Sequence, residues 1–254
     1  MRKVLAVAVN TFRETIRDRI LGVIILFALA MIVASLWLAS ISLGQEGRMM
    51  KDFGLVAVSA FGLVVAVFVA ASLVRKEVEK RTVFVIFSKP VSRSEFIWGK
   101  FVGFGATMLV VVGGMTLFLF AVTWAVARSP SAAILVAGLL VYVQLLVVMA
   151  VTVFFSTFSS AVLASVLGIC VYVAGQLSHN ALSLTQVSHS EALKAVTRGV
   201  FYVIPNLSAV DLRASVVGEG AARWAGVAAW TAYLGAYVVI ALLAASWSFG
   251  RKEF

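Results

Sequence analysis

Six long apolar segments constrain the fold of this chain more than any other feature of its sequence. A helix needs about 20 predominantly apolar residues to cross the hydrocarbon core of a bilayer. The segments of this length are residues 21–43, 53–74, 101–126, 132–155, 161–182 and 224–247. They are continuously apolar and lack the alternation of β-barrel strands, so helices are the structure that satisfies their backbone groups in lipid. The sequence therefore predicts an all-α, polytopic membrane protein with six transmembrane helices.

The composition excludes an ordinary soluble domain. Of the 254 residues, 62% are hydrophobic and only 13% are charged, which is too few charges to cover the surface of a soluble protein of this size. No separate soluble domain is visible, so we interpret residues 1–254 as a single transmembrane domain. Cys170 is the only cysteine and cannot form a disulfide within the chain.

The charge distribution predicts the orientation in the membrane. The net charge of +10 could suggest a nucleic-acid partner, but the placement of the charges argues against one. With both termini inside, the inner segments carry 14 of the 21 Lys and Arg residues. This is the positive-inside pattern, and it adds attraction to anionic lipid headgroups. We therefore expect a multi-pass membrane protein with both termini cytoplasmic.

The first 19 residues form an amphipathic pattern and precede an apolar run that is too long for a cleavable signal. Helical spacing predicts one apolar face, with the charged residues opposite. That face consists of Val4, Leu5, Ala8, Val9, Phe12 and Ile16. We expect a helix that lies in the membrane plane; the alternative is a solvated leader to the first span.

The longest connection, residues 178–223, is predicted to lie outside the membrane. It contains two semi-apolar stretches, 192–204 and 207–217, separated by Pro205. Proline ends helices, so these stretches predict two short outer helices between spans five and six. We expect them to cap the bundle or to dip into it from outside.

The connection between spans two and three, residues 75–100, is a basic hinge that holds seven of the 21 cationic residues. The second span is predicted to continue as a helix through residues 75–81. A short apolar stretch, 82–87, follows, and Lys89-Pro90 ends it because the residue before proline avoids the α region. Ser92 and Glu95 match a capping box, which predicts a new helix from Arg93. The exposed apolar side chains of the stretch, such as Phe84 and Phe87, must lie either on lipid headgroups or in a groove of a partner protein.

This hinge resembles a hallmark of a known family. The sequence E-V-E-K-R-T, then S-K-P-V-S-R-S-E-F, then G-K-F-V-G is similar to that of type-2 ATP-binding-cassette (ABC) exporter permeases. It resembles most the branch that includes the membrane subunit of nitrous-oxide reductase (multi-copper enzyme) maturation systems. N-T-F-R-E-T-I-R-D-R-I-L before the first span and Ile204-Pro205-Asn206 agree with it, and the strong resemblance covers residues 10–103. Arg81 stands where many type-2 permeases have glycine.

The resemblance implies two permease copies and two separate cytoplasmic ATPase subunits, with the hinge as the coupling helix seated on the ATPase. The residues expected to couple to the ATPase are Glu77, Glu79, Arg81, Thr82, Phe84, Phe87, Lys89, Pro90 and Arg93. Those expected to start and pack the helix after the hinge are Ser92, Glu95, Gly99, Lys100 and Gly103. The Gly99-x-x-x-Gly103 spacing allows another helix to approach closely.

The chain lacks a P-loop, so it is not expected to be an enzyme; ATP and Mg²⁺ would bind the partner. The spans also lack central charged residues, which favours energy supplied from outside the bilayer. As the resemblance implies, we expect a permease subunit of an ABC exporter in the bacterial inner membrane. One alternative is a non-transporting, ATPase-coupled module that transmits mechanical work to an outer, periplasmic partner. Another, an intramembrane enzyme that uses Ser178 and His179, lacks an acidic partner nearby.

Two polar side chains lie inside predicted spans. Gln144 and Gln176 are candidates for a substrate pathway, and the alternative is a hydrogen bond between helices. His179 and His189 are ten residues apart without further ligands, so no metal site is expected. The cargo is left open among a sulfur species, as the branch suggests, and lipids, peptides or glycans.

Overall fold

The computed structural model is helical throughout most of the residues that it describes. These are residues 2–16, 22, 26–27, 29–34, 37, 46–79, 92–128, 131–187, 204–208 and 224–250. The helices are α1 (Arg2–Thr15), α2 (Glu46–Glu79), α3 (Arg93–Ala127), α4 (Ala133–Ser156), α5 (Ala161–Val187) and α6 (Trp224–Gly250). No strand occurs within these residues. The predicted all-α fold is therefore confirmed for the described part of the chain.

Five of the helices are long and apolar enough to cross a membrane. The candidate spans are Gly47–Ala71, Ser94–Val126, Ala133–Ser156, Ala161–Ser178 and Val227–Phe249. They correspond to the second to sixth spans predicted from the sequence. The predicted first span, residues 21–43, lies largely outside the described residues, so the six-span topology stays a prediction. Phe27 and Met31, which belong to that segment, are buried in the core.

Two helices extend beyond the apolar runs that predict them. α2 begins at Glu46, so the start expected at residue 53 is seven residues too late. α5 likewise continues through Val187, into the segment that was assigned to the outer connection. The physical reason is the same in both cases. A hydropathy pattern ends where polar residues begin, but helical hydrogen bonding continues through polar residues with good helix propensity, such as Arg48 and Lys51.

The core lies between α2, α3 and α4, and α5 and α6 pack against its side. Two glycines allow close contact there: Gly138 of α4 touches Thr116 of α3, and Gly168 of α5 touches Thr152 of α4. Each threonine hydroxyl donates a hydrogen bond to its own helix, at 2.7 Å to Val112 O for Thr116 and at 2.8 Å to Val148 O for Thr152. These bonds satisfy the hydroxyls without a partner from a neighbouring helix.

The described connections between helices are short. α3 ends at Arg128, which adopts the left-handed conformation (φ 47°, ψ 28°) that commonly stops a helix. The turn between α4 and α5 is joined to α6, because Thr157 Oγ1 donates to Ser248 Oγ at 3.1 Å. Short connections keep α3, α4 and α5 as sequential neighbours in the bundle, which fixes the positions of the two regions described next.

Candidate coupling region and polar cluster

The first candidate region surrounds the hinge. α2 continues through Glu79, so the predicted helical continuation of the second span through residues 75–81 is confirmed as far as Glu79. Glu77 and Glu79 therefore lie on the last turns of α2. The remaining predicted coupling residues before the next helix lie outside the described residues: Arg81, Thr82, Phe84, Phe87, Lys89 and Pro90.

The far side of the hinge contains the predicted capping box. Ser92 Oγ accepts a hydrogen bond from the backbone N–H of Glu95 at 3.2 Å, and the Glu95 carboxylate accepts one from the N–H of Ser92 at 2.9 Å. These bonds satisfy two backbone donors that a helix start would otherwise leave unpaired. Arg93 is the first residue of α3, as expected. The sequence thus predicted correctly where the helix that leads from the hinge into the third span begins.

α1 packs against α3 at Gly99 and Gly103. A Cβ atom built on Gly99 would stand 3.0 Å from Val4 O, and one built on Gly103 would stand 2.5 Å from Ala8 O. Thr11 of α1 is buried in the same contact. Contacts this short to backbone atoms require glycine. We call the set Val4, Val7, Ala8 and Thr11 against Gly99 and Gly103 the α1–α3 contact.

Lys100 lies between these glycines and is only 8% exposed. Its Nζ atom stands 5.1 Å from the centre of the Phe96 ring, within the range of a cation–π interaction. Phe96 is itself buried, one turn after the cap. The first turns of α3 are therefore fixed at three points: the cap, the aromatic ring and α1.

The second candidate region is an inserted segment, residues 204–208, which reaches halfway into the bundle. Leu207 is fully buried and packs with Val67 of α2, Leu140, Val147 and Val148 of α4, and Leu234 of α6. Its N–H donates to Gly175 O at 3.2 Å, and its carbonyl accepts from Gln144 Nε2 at 3.0 Å. Gln144 is the twelfth residue of the 24-residue α4. Irregular backbone at this depth is tolerated where protein surrounds it and satisfies its polar groups.

Gln144 and Gln176 are joined to each other. Gln176 Nε2 donates to Gln144 Oε1 at 3.2 Å and lies 3.3 Å from Tyr172 OH. The structure thus contains the hydrogen bond between helices that was considered for this pair. Gln144 also donates to the Leu207 carbonyl, and this bond was not expected from the sequence. A role for the two glutamines in a substrate pathway stays a prediction.

A group of hydroxyls continues the polar region towards the end of α5. Ser178 Oγ donates to Asn206 Oδ1 at 2.8 Å and also lies 2.8 Å from Gly175 O. Ser208 Oγ donates to the same amide oxygen at 2.8 Å. Together with the two glutamines and Tyr172, these groups form a polar cluster that attaches the inserted segment to α4 and α5.

Sequence reasoning missed the glycine that makes this insertion possible. A Cβ on Gly175 would stand 2.8 Å from Pro205 O and 2.8 Å from Leu207 Cγ. A lone glycine in an apolar helix gives no sign of what touches it. The available signal was the apolar character around Pro205, which led to the alternative that this connection dips into the bundle. Residues 204–208 do so, and the remainder of the two predicted outer helices, residues 192–203 and 209–217, lies outside the described residues.

These features define the class of the molecule: a multi-pass membrane protein made of packed apolar helices, with an irregular segment inserted among them. The model of the ABC-2 family transporter protein matches residues 5–254. The chain therefore belongs to this family, whose members are permease subunits of ABC transporters and pair with ABC ATPase subunits. No curated protein matches the chain.

Proposed function

We propose that this chain is the permease subunit of an ATP-driven bacterial exporter and that a separate ATPase subunit hydrolyses the ATP. The family match over residues 5–254 carries the proposal. Two copies of the chain would form the pathway, with one ATPase subunit on the cytoplasmic side of each. The inner position of both termini and of the hinge follows from the distribution of Lys and Arg residues.

The geometry around the hinge supports its role as the coupling element. The apolar part of α2 ends at Ala71, and the helix continues to Glu79, about 12 Å further at 1.5 Å per residue. α3 starts anew at Arg93, and it packs against α2 within the bundle. Force on the segment between Glu79 and Arg93 would therefore act on two spanning helices at once.

In this mechanism the chain moves but performs no chemistry. ATP-driven closure of the ATPase pair displaces the hinge, and the hinge tilts α2 and α3 between two arrangements of the bundle. Such a switch requires only that the ATPase contacts the two arrangements with different free energies. α2 and α4 together enclose Leu207, so a tilt of α2 would also change the packing of the inserted segment.

The proposal for the cargo rests on the branch of the family that the sequence resembles. The hinge and the sequence before the first span are similar to permeases of multi-copper enzyme maturation, for which a sulfur species is the first candidate. Lipids, peptides and glycans are the alternatives. ATP-dependent uptake of each class into inverted vesicles that contain the permease and its ATPase would distinguish them.

The coupling role is tested by Phe84→Asp. A carboxylate on the apolar stretch of the hinge should prevent docking in a groove, because burial of an unpaired charge is costly. We expect loss of ATPase co-purification and of transport, with the permease still monodisperse. Glu79→Ala should retain the ATPase better than Phe84→Asp does, but it should lower the ATP turnover that is coupled to transport.

The matched control is Phe158→Asp, which places the same charge on an exposed phenylalanine in the other predicted inner turn. It should leave the ATPase bound. Wild-type yield of the ATPase with Phe84→Asp, together with unchanged ATP turnover, would contradict the proposed coupling site.

A second candidate function is a non-transporting module that passes mechanical work to a partner outside. The observation in its favour is the attachment of the inserted segment, because Leu207 bonds Gln144 of α4 and Gly175 of α5 and shares an apolar cluster with α2, α4 and α6. Movement of these helices would be transmitted outwards. ATP turnover by the reconstituted complex with no flux of any cargo class would favour this function; ATP-dependent flux would favour the exporter.

A further inference from the structure

α1 has a second exposed surface that its contact with α3 does not use. Val4, Val7, Ala8 and Thr11 face Gly99 and Gly103. Leu5 and Val9 lie about 100° further around the helix and remain 64% and 41% exposed. The single apolar face expected from the sequence is therefore divided into a side that packs on protein and a side that is open.

The open apolar side is bordered by positive charge. Lys3, Asn10 and Arg13 are exposed on the remaining side of α1. Residues 2–15 contain three cationic residues, Arg2, Lys3 and Arg13, and one acidic residue, Glu14. Exposed leucine and valine beside cationic side chains are typical of helices that insert shallowly into an anionic lipid surface.

We propose that α1 senses anionic lipid headgroups and transmits its position to the hinge through the α1–α3 contact. The occupant of the open side is the anionic surface of the leaflet, which offers both the negative charge and the apolar layer that this side requires. The regulatory part of the inference rests on the proposed coupling function of the hinge. The lipid contact itself does not.

The α1–α3 contact is suited to transmission because it joins backbone to backbone. A built Cβ on Gly103 would stand 2.5 Å from Ala8 O and 2.8 Å from Thr11 Cβ, so the two helices interlock with no flexible side chain between them. Gly99 makes the same kind of approach only seven residues after Ser92, the cap that ends the hinge. A tilt of α1 on the membrane surface would therefore move the first turns of α3.

The lipid contact is tested on the full chain with one fluorescent label. Because Cys170 is the only cysteine, Cys170→Ser provides a background for Leu5→Cys that carries an environment-sensitive fluorophore. In vesicles of phosphatidylcholine alone and with increasing phosphatidylglycerol, we expect a progressive blue shift of the emission. Asn10→Cys, on the polar side of α1, should show little shift.

Charge removal measures the electrostatic part of the contact. Each cationic residue near an anionic surface contributes about 1 kcal/mol, or about a fivefold change in binding. Arg13→Gln should therefore raise the phosphatidylglycerol fraction that gives half of the shift about fivefold. Equal emission of the Leu5→Cys label with and without phosphatidylglycerol would overturn the inference, as would a shift that only addition of the ATPase produces.

Transmission is tested by ATP turnover of the reconstituted permease–ATPase complex in the same two lipids. Turnover of the wild type should depend on phosphatidylglycerol, and Gly103→Val should remove this dependence while the label on Leu5→Cys still responds. Gly113→Val is the matched control, because a Cβ on Gly113 of the same helix meets nothing within 4 Å. It should keep the dependence.

The outcomes separate this inference from the proposed function. If Gly103→Val fails to assemble, Arg13→Gln provides the same test, since it should weaken the lipid dependence of turnover. Turnover that is coupled to transport but independent of phosphatidylglycerol would overturn the regulation and leave the exporter intact. A permease that binds no ATPase would overturn the proposed function while the fluorescence shift still supported the lipid contact.

Discussion

Two parts of this protein that do not span the bundle are attached to it in different ways. α1 lies on α3 through a contact of small residues, with Ala8 O close to Gly103 and Val4 O close to Gly99. The inserted segment, residues 204–208, also lies against a glycine, Gly175. In addition, it is held by hydrogen bonds, both to its backbone and to its polar side chains.

The difference follows from backbone hydrogen bonding. α1 is helical, so its amide and carbonyl groups are largely paired within the helix, and close packing is enough to attach it. The inserted segment is irregular, so each buried N–H and C=O must find a partner elsewhere. Gly175 O accepts from the Leu207 N–H, and the Gln144 side chain donates to the Leu207 carbonyl. The Gln144 amide thus lies where irregular backbone enters the bundle.

The largest effect is expected from Leu207→Ala, which removes a fully buried side chain from the apolar cluster of α2, α4 and α6 and from its contact with Gly175 of α5. Loss of burial plus the remaining cavity should destabilise the protein by about 2–5 kcal/mol. Unfolding by denaturing detergent, followed by circular dichroism, would measure it. Leu177→Ala on α5, where the leucine is 55% exposed, should cost far less; equal costs would show that Leu207 is not enclosed.

Gly175→Val is the next test, and it acts on the glycine against which the inserted segment lies, as Gly99 and Gly103 do for α1. The added side chain would collide with Pro205 O and Leu207, and overpacking of this kind costs about 1–3 kcal/mol. We expect lower thermal stability and faster proteolysis of the outer connection. The control is Gly235→Val, where a Cβ meets nothing within 4 Å. Proteolysis at the wild-type rate for Gly175→Val would contradict the insertion.

Gln144→Leu separates hydrogen bonding from packing. The substitution keeps most of the side-chain volume but leaves the Leu207 carbonyl without its donor, which should cost about 1–2 kcal/mol. Gln176→Leu should cost less, because Gln176 bonds only side chains, those of Gln144 and Tyr172. Thermal unfolding of both variants in the same detergent would decide the order, and the reverse order would argue against the role assigned to Gln144.

The smallest effect is expected at the start of α3. Ser92→Ala removes the acceptor for the Glu95 N–H and should cost about 1 kcal/mol, the usual value for loss of a helix cap. Ser92→Asp should restore most of it, because aspartate is an equally good cap. Hydrogen exchange of the amides after Ser92 is the measurement. Exchange that is unchanged in Ser92→Ala would mean that α1 and the Phe96–Lys100 pair alone hold these turns.

The sequence predicted the features that depend on neighbouring residues. The capping box at Ser92 and Glu95, the start of α3 at Arg93 and the extension of α2 through Glu79 are all present. Each follows from spacing within one or two turns. The start of α2 was placed too late, because the prediction followed hydropathy instead of hydrogen bonding. Gly99 and Gly103 were recognised as a site of close approach, but their partner, α1, was not.

The inserted segment shows where such reasoning stops. Leu207 is more than 30 residues from Gly175 and Tyr172 in the chain, and no spacing relates it to them. Gln144 was recognised as unusual inside a span, yet its acceptor is 63 residues away. Two glutamines in apolar helices can serve a pathway or a structural bond, and only the positions of their neighbours in space show that one such bond exists.

By itself, the sequence determined the solvent in which this protein folds, the helical class, the candidate spans after the first and the local chemistry of the hinge, since apolar length, charge placement and capping are properties of contiguous residues. Only the tertiary structure decided which glycine meets which backbone, how the apolar surface of α1 is divided, and that Leu207 lies buried in the bundle against Gly175. These depend on contacts between residues far apart in the chain, and within lipid a leucine that faces protein has the same hydropathy as one that faces hydrocarbon.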